Sequence, residues 1–388
     1  MGERLCAMRE YDWVEVERTR AFITQLFCGP APDRPAAIVH AAPSPAAPPP
    51  TPPPNGLNDF QRQAWNQVEG LRRRPLGGDD FVPAVGTGAG TCAMATAFGC
   101  EETEASGVCW VRPCIADPAQ IDRLRPPQLT AGKLGRVLEQ TRACAEILDE
   151  RLPLRIMDFQ SPFTTVEQML GSERFFLMPY DEPRRLHALM DVVTDFAIAF
   201  FQAQIRAAGP AACPGIWPSF WFPPQAGIQM SDDNLVNVSP EVYDEFVVPY
   251  NNRIAAAFGG LFLHSCTLRE ASLPSLRKLK GLTGINCDVS TSVSTARLLD
   301  EFGERLVVAP HAYINTETNF ADYTAFMDNV LSGWRPGRRL FIYPCTVMYI
   351  PATAREIRFD EAQARAALDR FPGWRRDHGR STAGLATP

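Results

Sequence analysis

The chain has 388 residues, 45% of them hydrophobic and 21% charged, with a formal net charge of −6. That is an ordinary globular composition with enough length for a large core, and its acidic balance gives no electrostatic reason to expect nucleic acid or an anionic membrane as partner. The opening Met1-Gly2-Glu3-Arg4-Leu5-Cys6 lacks the apolar stretch of a secretory signal, so a cytoplasmic location is expected.

Apolar residues at helical spacing predict a helix over Asp12–Phe27, followed by a short buried strand in Pro35–His40. Ala42–Pro54 is almost wholly Pro, Ala, Ser and Thr and reads as an extended, solvated loop. A helix is predicted over Asn58–Arg74, with Arg72-Arg73-Arg74 as its solvated end. From there short apolar runs alternate with longer amphipathic ones. The strands expected are Ala37–His40, Phe81–Val85, Leu154–Phe159, Ala226–Met230, Gly260–His264, Leu282–Cys287, Leu306–Ala309 and Leu340–Tyr343.

The helices expected between them are Leu134–Leu152, Pro183–Ala207, Pro240–Phe258, Ser294–Phe302, Phe320–Leu331 and Glu361–Arg370. The most apolar stretch among them, Phe196–Ile205, reads as too short to cross a bilayer. Ser239-Pro240-Glu241 is a strong helix start, with a capping hydroxyl, proline in the first turn and an acid at the positive end of the dipole. Eight alternations of strand and helix imply an α/β fold, a single-domain (β/α)8 TIM barrel. The boundaries expected are a helical extension over residues 1–34, the barrel over 35–375 with the Pro-rich insertion at 42–54, and a polar tail over 376–388.

Barrels of this class carry their chemistry at the C-terminal ends of the strands. Leu261–Cys266 is an apolar strand ending in His264-Ser265-Cys266, and residues i and i+2 share a strand face. Cys345 ends the last predicted strand. One imidazole and two thiolates are a ligand set that holds zinc and leaves a fourth position open. Asp232 and Asp233 follow the fourth strand, Asp288 the sixth and His311 the seventh. The two acids either cap a helix start, or orient a metal-bound imidazole or handle a substrate proton. His311 is either a proton donor near the metal or a satisfied loop histidine. Cys92, Cys100, Cys144 and Cys287 read as core filler, and His40 and His187 as structural. Gly86-Thr87-Gly88-Ala89-Gly90-Thr91 lacks the spacing of a dinucleotide fingerprint and reads as a flexible loop over the mouth of the strands.

Several segments together resemble the uroporphyrinogen decarboxylase superfamily: Asp232-Asp233, Val238-Ser239-Pro240-Glu241-Val242-Tyr243-Asp244-Glu245-Phe246, Pro249-Tyr250, Gly259-Gly260 and His264-Ser265-Cys266. The resemblance is strongest over Gln229–Thr267 and runs more weakly from Asp80 to Cys345. It implies a single (β/α)8 barrel. Within the superfamily, His264-x-Cys266 with Cys345 is similar to the zinc-dependent corrinoid methyltransferases. That branch implies zinc on His264, Cys266 and Cys345, while Asp232, Asp233 and His311 are catalytic candidates by their places at the strand ends. It also implies methylcobalamin carried on a separate corrinoid protein, and a small-molecule methyl donor or thiol acceptor. The alternative is a decarboxylase of a tetrapyrrole or other polycarboxylate. The decarboxylases carry arginines just after the first strand, where this chain has Pro43–Pro54 and no arginine. No Asp-x-His-x-x-Gly motif is present to hold cobalamin in this chain itself.

Overall fold

The computed structural model describes residues 12–40, 47–105, 108–215, 220–289, 293–311, 320–343, 347–350 and 355–378. Parallel ladders and the helices between them give a mixed α/β architecture. One ladder pairs Ala36–Ala37 with Phe341–Ile342. A second runs Val85–Gly86, Leu154–Arg155, Ala212–Cys213. The third and largest runs Ile228–Ser231, Leu261–Ser265, Leu282–Asp288, Val307–His311. The ladders are separate sheets, with a few backbone contacts between them. The Asp80 amide donates to the Ala37 carbonyl at 2.9 Å, and the Ser231 amide to that of Phe159 at 2.7 Å. Val308 bridges to Leu340.

Side-chain alternation gives the large sheet two different faces. Leu261 and Leu263 join the core shared with the surrounding helices. Phe262, Val307 and Ala309 turn the other way, into a cluster with Phe27, Phe220, Phe222 and Phe341. Gly284 leaves room for this: a Cβ there would lie 2.6 Å from the Phe262 ring. This second face is apolar at the starts of the strands and carries His264 and Asn286 toward their ends.

Several expected elements change. The strand expected at Phe81–Val85 is reduced to Val85–Gly86, and Ala212–Cys213 is an additional short strand. The first of these follows from two carboxylates that stand in for a neighbouring strand. Asp79 accepts from the amides of Val39 and His40, both at 2.8 Å, and Asp80 from that of Ala37 at 2.9 Å. The helix expected over Pro240–Phe258 breaks into Pro240–Phe246 and Val248–Phe258. Pro249 has no N–H to continue the ladder, and its ring crowds the carbonyl four residues back. The helix expected to reach Leu152 stops at Ile147. An antiparallel hairpin of Glu101–Ala105 and Val108–Arg112 and the helices Pro162–Leu170 and Ser172–Asp181 lie in a stretch left without elements in the sequence.

Arg72 and Arg74 are not the free end of a helix. Arg72 pairs with buried Glu69 at 2.7 Å, and Arg74 pairs with Asp79 at 3.1 Å while stacking 3.4 Å from the Phe81 ring. Residues 41–46 of the Pro-rich stretch lie outside the described residues. Its described part is tied down at Thr51, whose amide donates to Glu69 at 2.7 Å and whose carbonyl accepts from the Trp65 indole at 2.9 Å. The apolar stretch 196–205 belongs to a 26-residue helix, Pro183–Ala208, long and apolar enough to cross a membrane. Its buried face, including Leu186, Leu189, Met190, Val193, Phe196, Phe200 and Phe201, is packed into the main core, as in a core helix.

Candidate metal centre

Strand register builds the site. In the large sheet Ser231 lies beside His264, His264 beside Asn286, and Asn286 beside Ala309. Two residues further on, Val307–His311 ends in His311. Polar side chains from adjacent strands therefore meet at one level. His264, Asn286 and His311 are buried, whereas Asp233 and Cys266 are half-buried.

The orientation of His264 follows from its neighbours. The Asn286 amide nitrogen donates to the Ala309 carbonyl, which leaves its Oδ1 facing His264 Nδ1 at 2.5 Å. Nδ1 must then carry the proton, and Nε2 presents a lone pair on the opposite side of the ring. Cys266 Sγ stands 4.0 Å from that Nε2, and Asp233 Oδ1 stands 3.8 Å from it. Asp233 is fixed by the backbone: the 3-10 turn Asp233–Val236 starts there, and its Oδ1 accepts the Cys266 amide at 2.8 Å. Asp233, His264 and Cys266 thus offer three ligand atoms, all within 4.8 Å of one another. An oriented imidazole lone pair, a thiol and a carboxylate fit a divalent transition metal such as zinc. Cys345 lies outside the described residues.

His311 stacks on His264 with ring centroids 5.6 Å apart. Its Nδ1 lies 3.1 Å from the Asn286 amide nitrogen. Burial first, and the neighbouring His264 second, hold its pKa well below the ordinary histidine value. At neutral pH it is an uncharged imidazole.

The two adjacent acids separate. Asp233 faces Cys266 and His264. Asp232 is fully buried, and its carboxylate accepts from Tyr243 Oη at 2.8 Å, Asn251 Nδ2 at 3.1 Å and Ser161 Oγ at 3.2 Å. Burial raises its pKa to about 6, against the lowering effect of the Tyr243 and Asn251 hydrogen bonds. Its contact with the His264 residue is through the backbone, the Asp232 amide donating to the His264 carbonyl at 2.8 Å.

Two residues of the site were passed over in the sequence. Asn286 lies in a largely apolar strand, and only the register shows that it holds His264. Asp158 follows the strand Leu154–Arg155, where Ser231 Oγ donates to its Oδ1 at 2.9 Å and Gln160 Nε2 to its Oδ2 at 2.6 Å. Enclosure raises the Asp158 pKa from its ordinary value, against the lowering effect of the Ser231 and Gln160 hydrogen bonds and, after them, of His264. Its position at a strand end is the signal that could have marked it. Asp288 ends its strand, buried. Thr87 in the glycine-rich loop is buried, its hydroxyl donating to the Arg155 carbonyl at 2.9 Å, so that end of the loop is pinned.

A family profile described as uroporphyrinogen decarboxylase (URO-D) matches residues 84–216. The uroporphyrinogen decarboxylase of Xanthomonas axonopodis pv. citri (strain 306) is 34% identical over 147 residues, 36% of this chain and 36% of that protein. The methylated-thiol--coenzyme M methyltransferase of Methanosarcina mazei is 28% identical over 181 residues, 45% of this chain and 44% of that protein. The chain therefore spans between 36% and 44% of the length of these two relatives. A solved methyltransferase from Methanosarcina mazei superposes with a TM-score of 0.60 at 16% identity, covering 90% of this chain and 97% of that one, and so shares its fold.

Proposed function

We propose that this chain, which resembles the uroporphyrinogen decarboxylase superfamily and its methyltransferase-like branch, is a zinc-dependent methyltransferase. It moves a methyl group between a separate corrinoid protein and a thiol or other small molecule. The observation that carries the reading is the meeting of Asp233, His264 and Cys266 within 4.8 Å, with the imidazole lone pair aimed by Asn286.

We read the three parallel ladders as parts of the (β/α)8 barrel that the family resemblance implies. Backbone contacts from Ala37 to Asp80, from Phe159 to Ser231 and from Val308 to Leu340 lie between the sheets and support that reading. On this reading His264, Cys266 and Cys345 hold the zinc, as the family resemblance implies, and Asp233 stands beside them as a further donor. A bound zinc ion lowers the pKa of a coordinated thiol and keeps it as the thiolate at neutral pH. The residues of the chain do the rest. Asn286 fixes the His264 tautomer. Asp158, held by Ser231 and Gln160, is the half-buried carboxylate that takes the proton the substrate loses. Neutral His311 offers a hydrogen bond without adding charge beside the donors. Because Asp233 and Cys266 are only half-buried, the donor set is reachable by a methyl group brought by a partner.

Metal analysis of the purified protein is the test. About one zinc per chain is expected, reduced severalfold in His264→Ala and Cys266→Ala. No zinc in the wild type, or an unchanged content in both variants, defeats the reading. Turnover of uroporphyrinogen in the presence of a chelator would instead establish the decarboxylase.

A further inference from the structure

Cys100 reads in the sequence as core filler, but the structure sets its thiol against a second one. Cys92, Cys100, Cys109 and Cys114 lie around the antiparallel hairpin of Glu101–Ala105 and Val108–Arg112. Cys100 enters the hairpin, and Cys114 follows its last paired residue, Arg112, by two positions. Both come together at the last turn of the helix Pro162–Leu170. Cys100 Sγ lies 3.7 Å from the Gln168 carbonyl oxygen, and the Cys114 amide donates to the Met169 carbonyl at 3.1 Å. The two sulfurs are in hydrogen-bond contact, Cys100 donating to Cys114. Cys100 is buried and Cys114 half-buried, so one thiol is sheltered and the other is reachable from solvent.

Cys92 and Cys109 make a second pair with the opposite character. Cys92 Sγ lies 3.3 Å from the Cys109 carbonyl oxygen, and the two thiols are also in contact. Here the half-buried partner is held protonated, since Cys109 Sγ donates to the Glu102 carboxylate at 2.9 Å. Burial first, and that carboxylate second, push Cys109 up to about 12. The hydrogen bond from Cys100 acts the other way on Cys114 and draws it below the ordinary thiol value. The thiolate is the attacking species in thiol chemistry, so the reachable sulfur of one pair is activated and that of the other is silenced.

We propose that Cys114 and Cys100 form a redox modification site that takes low-molecular-weight disulfides, with Cys114 the attacking sulfur and Cys100 the resolving one. The Cys114 thiolate attacks one sulfur of the small disulfide, and the other sulfur leaves as a thiolate. The Cys100 sulfur then attacks Cys114, and the second small thiol departs with the Cys100 proton. Two protein thiols are oxidised to one disulfide while the small disulfide is reduced to two thiols. The helix that seats both cysteines is capped at its other end by Ser161, whose hydroxyl also donates to Asp232. The modification therefore falls on an element that reaches the candidate site.

The full chain, exposed to oxidised glutathione at neutral pH, provides the test. Remaining thiols are alkylated and the peptides mapped by mass spectrometry, so that each cysteine is read separately. A linked Cys100–Cys114 peptide is expected, with the Cys114 thiol lost at least about tenfold faster than that of Cys109. In Cys100→Ser, Cys114 should stop at the mixed disulfide with glutathione. In Cys114→Ser, Cys100 should stay reduced. Absence of the linked peptide in the wild type, or oxidation of Cys109 as fast as Cys114, overturns the assignment. The wild-type map alone decides this, so a variant that fails to fold leaves the test intact, and neither zinc nor methyl transfer enters the readout.

Discussion

Asn286 Oδ1 lies 2.5 Å from His264 Nδ1, on the neighbouring strand and in direct register with it. One amide thereby decides which nitrogen of the imidazole faces Asp233 and Cys266. Second contacts of this kind typically contribute 10- to 100-fold to metal affinity. Asn286→Ala should therefore weaken zinc binding by about 10- to 100-fold while leaving every proposed ligand in place. Asn286→Asp, which still accepts from Nδ1, should retain most of the affinity. Competition against a zinc-responsive chelator measures both, and equal affinity in Asn286→Ala and wild type would refute the role.

Asp232 makes stability depend on pH in a defined direction. Its pKa rises from an ordinary 3.8 in the unfolded chain to about 6 in the folded one. Between these values the folded state binds more protons than the unfolded state, so stability falls as pH rises from about 4 to about 6. The full change amounts to about 3 kcal/mol, and Asp158, whose pKa is shifted in the same direction, adds to it. Asp232→Asn removes the titration and keeps an acceptor for Tyr243. Relative to wild type, the variant should gain about 3 kcal/mol between pH 4 and pH 7. Urea midpoints of zinc-free protein across that range check this, and parallel curves for the two proteins would contradict it.

The sequence revealed the site unevenly, and the reasons are physical. His264-x-Cys266 was legible because a strand's period of two puts both side chains on one face, and the apolar run Leu261–Ser265 marks the strand. Asp233 could not be separated from Asp232. Only the turn after Ser231 sends one carboxylate to the Cys266 amide and the other into Tyr243 and Asn251. Asn286 was illegible for a related reason, since its meaning lies in cross-strand register. The alternation of strands and helices was plain, but strand lengths were not. Residues 81–84 read as a strand on composition, yet the Asp79 and Asp80 carboxylates satisfy the amides that a neighbouring strand would otherwise serve.

Asp80 does more than accept the Ala37 amide. It meets Arg34 through two hydrogen bonds, at 2.8 and 2.9 Å, with Arg34 and Asp80 only 4% and 2% exposed. Phe22 stacks 3.8 Å from the same guanidinium. Removing one member strands a buried charge, so Asp80→Ala should cost about 3–5 kcal/mol. The double variant Arg34→Met, Asp80→Leu removes both charges and should recover much of that loss. Chemical denaturation of the three proteins gives the comparison, and a double variant no more stable than Asp80→Ala would show that the amide contact, not the ion pair, dominates.

Gly227 sets the level at which the metal donors meet. It precedes the strand Ile228–Ser231 with φ of 91°, and a Cβ there would lie 2.0 Å from the Gly260 carbonyl oxygen and 2.4 Å from Gly260 Cα. Both obstacles are backbone, so no rotamer relieves them. Gly227→Ala should cost about 3 kcal/mol or more, from strained φ and overpacking together. Gly259 is the control: it has φ of 76° and open space around its Cβ position, so Gly259→Ala should cost only about 1–2 kcal/mol. The two variants should also differ in function. Relief of the clash at Gly227 moves Ile228 against Leu261, and with it Ser231 against His264, the pairing that brings Asp233 to Cys266. Zinc affinity, measured under conditions where both variants are fully folded, should therefore fall in Gly227→Ala and hold in Gly259→Ala. Equal affinity in the two would detach the metal centre from the register of these strands.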